Sequence, residues 1–308
     1  MVTARTASAG GLAVVGALGL GYAVAESRAY TLRRFDLPVL PPGASALRLL
    51  HLSDLHLTPR TRREVDWVRG LAALEPDLVV DTGDNLAHLD AVPTVLHALA
   101  PLLRRPGVFV LGSNDYYAPK PKNPARYLER NSSGRRVVGS RLPTADLVAG
   151  LTSSGWLDLT NSRAELTIRG VRLAFVGVDD PHLGRDRYPP MTSTTADLRV
   201  GVAHAPYTRV LDAMAGEGAP LLLAGHTHGG QLRVPGYGAL VTNCDLDRRR
   251  VRGVSRWWPG AASLQPTARP PDSASWLHVS AGLGTSPFTP VRFACRPEAS
   301  LLTLTARR

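Results

Sequence analysis

The sequence predicts an α/β fold, and three observations carry that expectation. From about Leu47 onward, short apolar runs alternate with stretches of helical hydrophobic spacing. Several of the apolar runs stop abruptly at Gly, Asp, Asn or His. With 308 residues, 44% apolar and 20% charged, the chain is long and apolar enough for a substantial core and is not a disordered polymer. A first strand is expected in "LRLLHLS" (47–53), then a helix in "RTRREVDWVRGLAAL" (60–74), whose Val65, Val68, Leu71 and Leu74 share one face. "PDLVVDTGD" is a second strand, "AVPTVLHALAPLL" (91–103) a helix and "GVFVLG" (107–112) a third strand. "RAELTIRGVRLAFVGVDD" (163–180) has the look of a hairpin turning at Gly170. "LRVGVAHAP" (198–206) and "PLLLAGHTHGG" (220–230) are further apolar runs, and "WLHVSAGLG" (276–284) and "EASLLTLTA" (298–306) are closing strands.

Segments outside this alternation divide the chain. Residues 1–34 form an N-terminal membrane anchor or signal segment, because Thr6 to Ala25 is twenty residues without a charge, about the length that spans a bilayer core. A buried helix should show a polar stripe, and this segment has none. The expected location is the cell membrane, held by a single-pass anchor; secretion after cleavage near "AVAES" is the alternative. Arg5 before the segment and Arg28, Arg33 and Arg34 after it favour a cytoplasmic domain by charge, whereas a signal-type reading argues the reverse, so the side stays open. Residues 35–46, "FDLPVLPPGASA", read as a Pro-punctuated linker, and 47–308 as the globular domain. Within it, 116–145 is an expected insertion or lid and 248–275 a basic, Trp-containing loop. The net charge of +11, nearly all from Arg, points to an anionic partner: a phosphorylated substrate, acidic lipid head groups or nucleic acid. Two scattered cysteines, Cys244 and Cys295, make neither a disulfide framework nor a zinc finger.

The chemistry lies at the strand ends. Asp54 and His56, Asp81 and Asp84, Asn114 and Asp115, His204, and His226 with His228 each follow an apolar run. In open α/β folds that rim is where ligands bind. Any one such end is an ordinary turn; five at five core strands form a site. In extended backbone the i, i+2 pairs Asp54/His56 and His226/His228 would project their side chains the same way. A mixed imidazole and carboxylate set suits Mn, Zn or Fe rather than Ca or a thiolate centre. The ligands are too many for one ion, so two divalent metal ions sharing a carboxylate are expected.

In order, the motifs "DLH" (54–56), "GDNL" (83–86), "GSND" (112–115), His204 and "GHTH" (225–228) resemble those of the calcineurin-like metallophosphoesterases. The longer "GHTHGGQLRVPG" and the late "SAGLGTSPFTPVRFACRPEASLLTL" are similar to a bacterial membrane-associated phosphodiesterase branch, related to UDP-diacylglucosamine pyrophosphohydrolases. The resemblance implies a four-layer αββα sandwich of two mixed sheets. It implies one metal on Asp54, His56, Asp84 and His228, and a second on Asp84, Asn114, His204 and His226. The implied activity is metal-dependent hydrolysis of a phosphodiester or pyrophosphate, possibly in a lipid- or nucleotide-linked substrate. A non-catalytic metal-binding relic and a nuclease of the same superfamily are the alternatives.

The chain departs from the family at "GSND", where the family has Gly-Asn-His-Asp. Without a gap, Ser113 takes the ligand position; shifted by one, Asn114 does, and Asp115 falls where the family's proton-donating His stands. An amide carbonyl is the better metal ligand, which favours Asn114. In both registers the family's histidine is missing, so the mechanism either lacks a general acid, favouring good leaving groups such as a pyrophosphate, or recruits Asp115 or another residue. His51, His88, His97, His182 and His278 are expected to be surface or packing residues. Asp81 is expected to orient a ligand. Arg248 to Arg250 with Trp257 and Trp258 is either a solvated basic loop or a membrane-docking patch.

Overall fold

The structure, a computed structural model, describes residues 16–121, 139–192, 195–263 and 268–307. Residues 6–15 of the expected anchor, most of the expected insertion (122–138) and part of the basic loop (264–267) lie outside the described residues.

Two six-stranded mixed sheets stack face to face. The first has the order β1 (Thr31–Leu40), β14 (Glu298–Ala306), β2 (Leu47–Leu52), β3 (Leu78–Asp81), β4 (Gly107–Phe109), β5 (Leu157–Asp158). The second runs β12 (Gly253–Trp257), β13 (Ser275–Val279), β9 (Leu221–Ala224), β8 (Leu198–Val202), β7 (Val171–Gly177), β6 (Arg163–Ile168). A small hairpin, β10 (Arg233–Val234) and β11 (Gly238–Ala239), stands apart. Three apolar layers make the αββα order physical. Leu49, Val80, Val108, Phe175, Val200 and Leu223 fill the space between the sheets. Outside the first sheet, Leu50, Val79 and Phe109 pack on Val65 and Val68 of α2 (Arg62–Gly70), Val95 and Leu99 of α3 (Val92–Leu99), and Leu147 and Leu151 of α5 (Thr144–Ser153). Outside the second, Leu222 and Leu277 pack on Val210, Leu211 and Met214 of α6 (Thr208–Gly216). The central strands are covered on both faces, which is why β3 and β9 read as unbroken apolar runs rather than alternating ones. Each such side chain contributes about 1.5–3 kcal/mol by leaving water.

Two sequence expectations change here. The 35–46 linker is, through Leu40, part of β1, which pairs in parallel with β14 from Thr31↔Glu298 onward. Its Pro38 is tolerated because β1 is an edge strand, where a missing ladder donor costs little. The basic loop contains β12, so Trp257 is buried and its Nε1 donates to Asp212 at 3.0 Å. It cannot enter a membrane; Arg250 stacks over both Trp257 and Trp258 and pairs with Asp247.

On α2, Glu64 is buried beside Tyr30 and Arg292. Burial pushes its carboxyl up to about 8, against the opposing pull of Arg292 and a Tyr30 hydrogen bond. The folded protein therefore holds a proton there that the unfolded chain releases above about 4.5. The corresponding stability is complete below that value and lost as pH rises through about 8. Glu64→Gln should raise the melting temperature by a few degrees at about pH 9 and change it little at about pH 5. Equal shifts at both pH values would contradict this assignment.

Candidate metal centre

The parallel strands β2, β3 and β4 of one sheet and β7, β8 and β9 of the other end at a common rim. The loops leaving them are laced together by backbone bonds: Asp54 N–H to Gly83 O at 2.8 Å, His56 N–H to Asp84 O at 2.9 Å and Gly225 N–H to His204 O at 2.8 Å. All seven expected ligands meet there. Asp54, His56, Asp84, His226 and His228 have φ of 53°, 45°, 58°, 68° and 48°. Left-handed backbone is uncommon outside glycine, although Asp and His adopt it more readily than most residues, and it gathers where function requires it. It also corrects the reading of the two i, i+2 pairs. Their side chains converge because tight left-handed turns aim them, not because they continue the strands.

Two clusters share the rim. In the first, the Oδ1 of Asp54 is 3.4 Å from Nε2 of His228, which is 3.1 Å from Nε2 of His56. In the second, Asp54, Asp84 and His204 bring their ligand atoms within 4.8 Å of one another. His226 joins it, its Nδ1 3.2 Å from Nε2 of His204. Asp84 reaches both: Oδ2 is 3.6 Å from His56 Nε2 and Oδ1 3.4 Å from His204 Nε2.

The donor set fits a cation. Oδ1 of Asp54 is buried with no hydrogen-bond partner, an arrangement expensive for a carboxylate unless a positive charge faces it. The imidazoles are prepared as ligands by groups behind them. His204 directs Nδ1 to Thr82 O at 2.7 Å, and His226 directs Nε2 to Asn243 O at 3.2 Å. Each carbonyl accepts one ring proton and turns the other ring nitrogen toward the cluster. Burial, then His56 and Arg292, holds His228 well below the usual imidazole range; burial, then His182 and His204, does the same for His226. Both rings therefore stay neutral. His204 differs: burial opposes its charge, yet Asp84 raises its pKa well above the ordinary value. Burial likewise opposes the charged form of Asp84, but His204 holds that carboxyl well below its ordinary value. A proton thus sits where a cation would, and metal uptake should release it.

Gly112 makes the close approach possible. A Cβ there would strike Oδ1 of Asp84 and the ring of His204. Gly112→Ala should weaken metal affinity about 10-fold or more by displacing ligands, while costing only ~1–3 kcal/mol of stability. Titration calorimetry with Mn²⁺ beside a thermal melt checks both; unchanged affinity would oppose it.

The opening α4 (Ser113–Tyr116) resolves "GSND". Asn114 is at the centre: its backbone N–H donates to Oδ1 of Asp84 at 2.6 Å and its Nδ2 lies 2.8 Å from Oδ2. Asp115 is not placed as an acid. It is fully buried, and its carboxylate accepts from the N–H groups of Asp84 (2.8 Å), Asn85 (2.8 Å) and Gly112 (2.9 Å). It ties the Asp84 loop to the Asn114 loop, which is a scaffolding role. Asp81 does related work, accepting from Gly83 N–H at 2.9 Å. Of the five remaining histidines, His88 and His97 are exposed, and His51 and His278 form a buried pair with Nδ1 atoms 2.8 Å apart. His182, expected as a surface or packing residue, lies at the rim, its ring packed against that of His226 with centroids 4.5 Å apart. Its signal was available, because "VDDPH" follows β7 as the other motifs follow their strands. Near it, Tyr116 donates to Asp179 at 2.8 Å and Arg185 stacks over Tyr116.

The sequence profile described as Calcineurin-like phosphoesterase matches residues 47–230. The chain is 24% identical over 306 residues to metallophosphoesterase YkuE of Bacillus subtilis, covering 93% of this chain and 90% of that one. It is 25% identical over 296 residues to phosphodiesterase YaeI of Escherichia coli, covering 93% of each. A Bos taurus protein named transmembrane protein with metallophosphoesterase domain is 27% identical over 241 residues, covering 72% of this chain and 48% of that one.

Proposed function

Because the chain belongs to the calcineurin-like phosphoesterase family, we propose that it is a dinuclear metal-dependent hydrolase of a phosphodiester or pyrophosphate bond in a lipid- or nucleotide-linked substrate. The observation that carries the dinuclear reading is Asp84, whose two oxygens address different histidines. Asp54, His56, Asp84 and His228 would hold one ion; Asp84, Asn114, His204 and His226 the other. Mn, Zn or Fe suits this nitrogen and oxygen set. When bound, such a pair of ions lowers the pKa of water and offsets charge developing on phosphoryl oxygens.

The chain's own contribution is to hold this set without rearrangement. Asp81 and Asp115 fix the turns, the Thr82 and Asn243 carbonyls fix the tautomers, and the left-handed backbone fixes the aim. No histidine stands in the "GSND" loop, and Asp115 is occupied by backbone donors, so leaving groups that depart without a proton are favoured. The test is turnover by the full chain of bis-p-nitrophenyl phosphate, an alkyl phosphodiester and a nucleoside diphosphate-linked substrate with Mn²⁺, Zn²⁺ or Fe²⁺. Aryl diester and anhydride should outpace the alkyl ester, and chelation should abolish all turnover. No metal-dependent turnover of any activated substrate sinks the reading.

A membrane tether through residues 6–25 belongs to the same proposal. It is supported by the absence of charge in that segment and by Leu18, Leu20 and Tyr22, which stand exposed on the helix α1 over 16–26. Among the described residues no helix is long and apolar enough to cross a membrane. Recovery of the full chain in the membrane fraction, and its release by detergent, would support the tether; recovery in a soluble fraction would oppose it.

A further inference from the structure

Nine of the eleven large apolar side chains exposed among the described residues fall in three short segments, 18–22, 232–240 and 288–293. These segments are far apart in sequence and joined in space. The Tyr22 and Phe293 rings meet edge to face at 5.3 Å. Leu232 bridges to Phe293, and Leu240 N–H donates to Leu232 O at 3.2 Å. Gln231 Nε2 donates to the carbonyls of Thr289 and Val291, both at 2.9 Å. α1 is fastened to the same place: Arg292 N–H donates to Ala23 O at 3.0 Å and Ala294 N–H to Glu26 Oε2 at 2.7 Å. A soluble surface rarely gathers its exposed apolar groups on one side, and when it does the patch marks an interface.

We propose that this face, formed by α1, the β10–β11 hairpin and the 288–293 loop, docks on a bilayer with anionic head groups and sets the metal rim against them. The proposal rests on the membrane tether and hydrolase readings given above. Charge selects the partner. Residues 16–25, 231–241 and 286–294 contain no Asp or Glu, while Arg233 lies within the hairpin and Arg248 stacks on Tyr237 at 5.0 Å. Arg beside interfacial Tyr and Phe suits anionic lipid. A second copy of the same face would instead bring like charges together across a two-fold interface. The tether's geometry agrees, because the uncharged 6–25 segment enters the domain at Ala23, inside the patch. The site lies next to it: Leu232 is four residues beyond the metal-cluster residue His228, across Gly229, Gly230 and Gln231. A substrate whose phosphate sits at head-group depth would then reach the ions without leaving the lipid. The surface shares Arg248 with the Trp-containing loop singled out in the sequence but not that loop's Trp257, which is in the core.

The test introduces a tryptophan into the full chain at Tyr237, at Leu18 or at the exposed Arg169, which stands on the β6–β7 turn at the end of β7 away from the rim, and adds anionic vesicles with brominated acyl chains. Tyr237→Trp and Leu18→Trp should be quenched at least about twofold more than Arg169→Trp. Quenching of Leu18→Trp without Tyr237→Trp overturns the docking face and leaves the tether intact; quenching of neither overturns both. A lipid-free dimer dispersed by Val234→Asp would also overturn it, in favour of self-association. Mn²⁺-dependent hydrolysis of soluble bis-p-nitrophenyl phosphate, which Val234→Asp should leave unchanged, is read in the same preparations. Its absence from the wild type would count against the hydrolase reading alone.

Discussion

Asp84→Ala is expected to reduce metal-dependent turnover by on the order of 10³-fold or more, with the protein still folded. One carboxylate serves both clusters, with Oδ2 3.6 Å from His56 Nε2 and Oδ1 3.4 Å from His204 Nε2. It also receives the backbone N–H of Asn114. Losing it removes a negative charge from both ion positions and frees the Asn114 loop. Asp84→Asn is the sharper variant, because it keeps the shape and loses the charge. Without metal, Asp84 and His204 are a buried charged pair, and neutralising one partner leaves the other uncompensated, so the Asn variant should melt earlier than the wild type even without metal. With Mn²⁺ added, the wild type should gain stability by mass action and the Asn variant should not. Thermal melts with and without chelator, beside initial rates, measure both. A metal-induced shift of wild-type size in Asp84→Asn would show that Asp84 does not hold the ions.

The loop that carries Asn114 marks what could be read from sequence and what could not. Strand ends bearing Asp54, His56, Asp84, His204, His226 and His228 were legible because burial on both faces makes core strands continuous apolar runs, and polar residues then stand out. The same rule would have found His182 after β7. β1 was hidden by Pro38 and Pro41, which mark a loop unless the strand is known to be an edge. The role of Asp115 could not be read at all. Acid and scaffold require the same residue at the same place, and three backbone donors from two loops decide between them. Nor does any residue pattern announce left-handed backbone at an aspartate or a histidine. That conformation is imposed by the contacts between the rim loops, among them the bonds from Asp54 to Gly83 and His56 to Asp84.

Arg292→Met should cost about 3–5 kcal/mol, or roughly 10 °C in melting temperature, although no sequence pattern distinguishes this arginine. It lies in an irregular segment, yet it is fully buried. Nη1 donates to Ala281 O at 2.8 Å, and Nη2 to Gly282 O at 3.0 Å and Gly284 O at 2.7 Å. Nη2 is also 3.2 Å from Nδ1 of His228. The loop it gathers in turn braces the first cluster, with Leu283 N–H donating to Ser53 O at 3.1 Å and Gly284 N–H to Asp54 O at 2.6 Å. Methionine fills the volume but leaves the Ala281 and Gly284 carbonyls without donors, each costing ~1–3 kcal/mol before the structure relaxes, while Gly282 O keeps the Glu298 N–H at 2.9 Å. Lysine keeps a charge without the planar fork and should fall between the two. The second consequence is local. With the 281–284 loop released, Asp54 and His228 lose their bracing, and metal affinity should fall about 10- to 100-fold even at temperatures where the variant is folded. Denaturation curves give the first effect and calorimetric metal titration of the folded protein gives the second. A variant that melts like the wild type would show that water replaces the guanidinium, and one that melts early but binds metal normally would confine Arg292 to the fold.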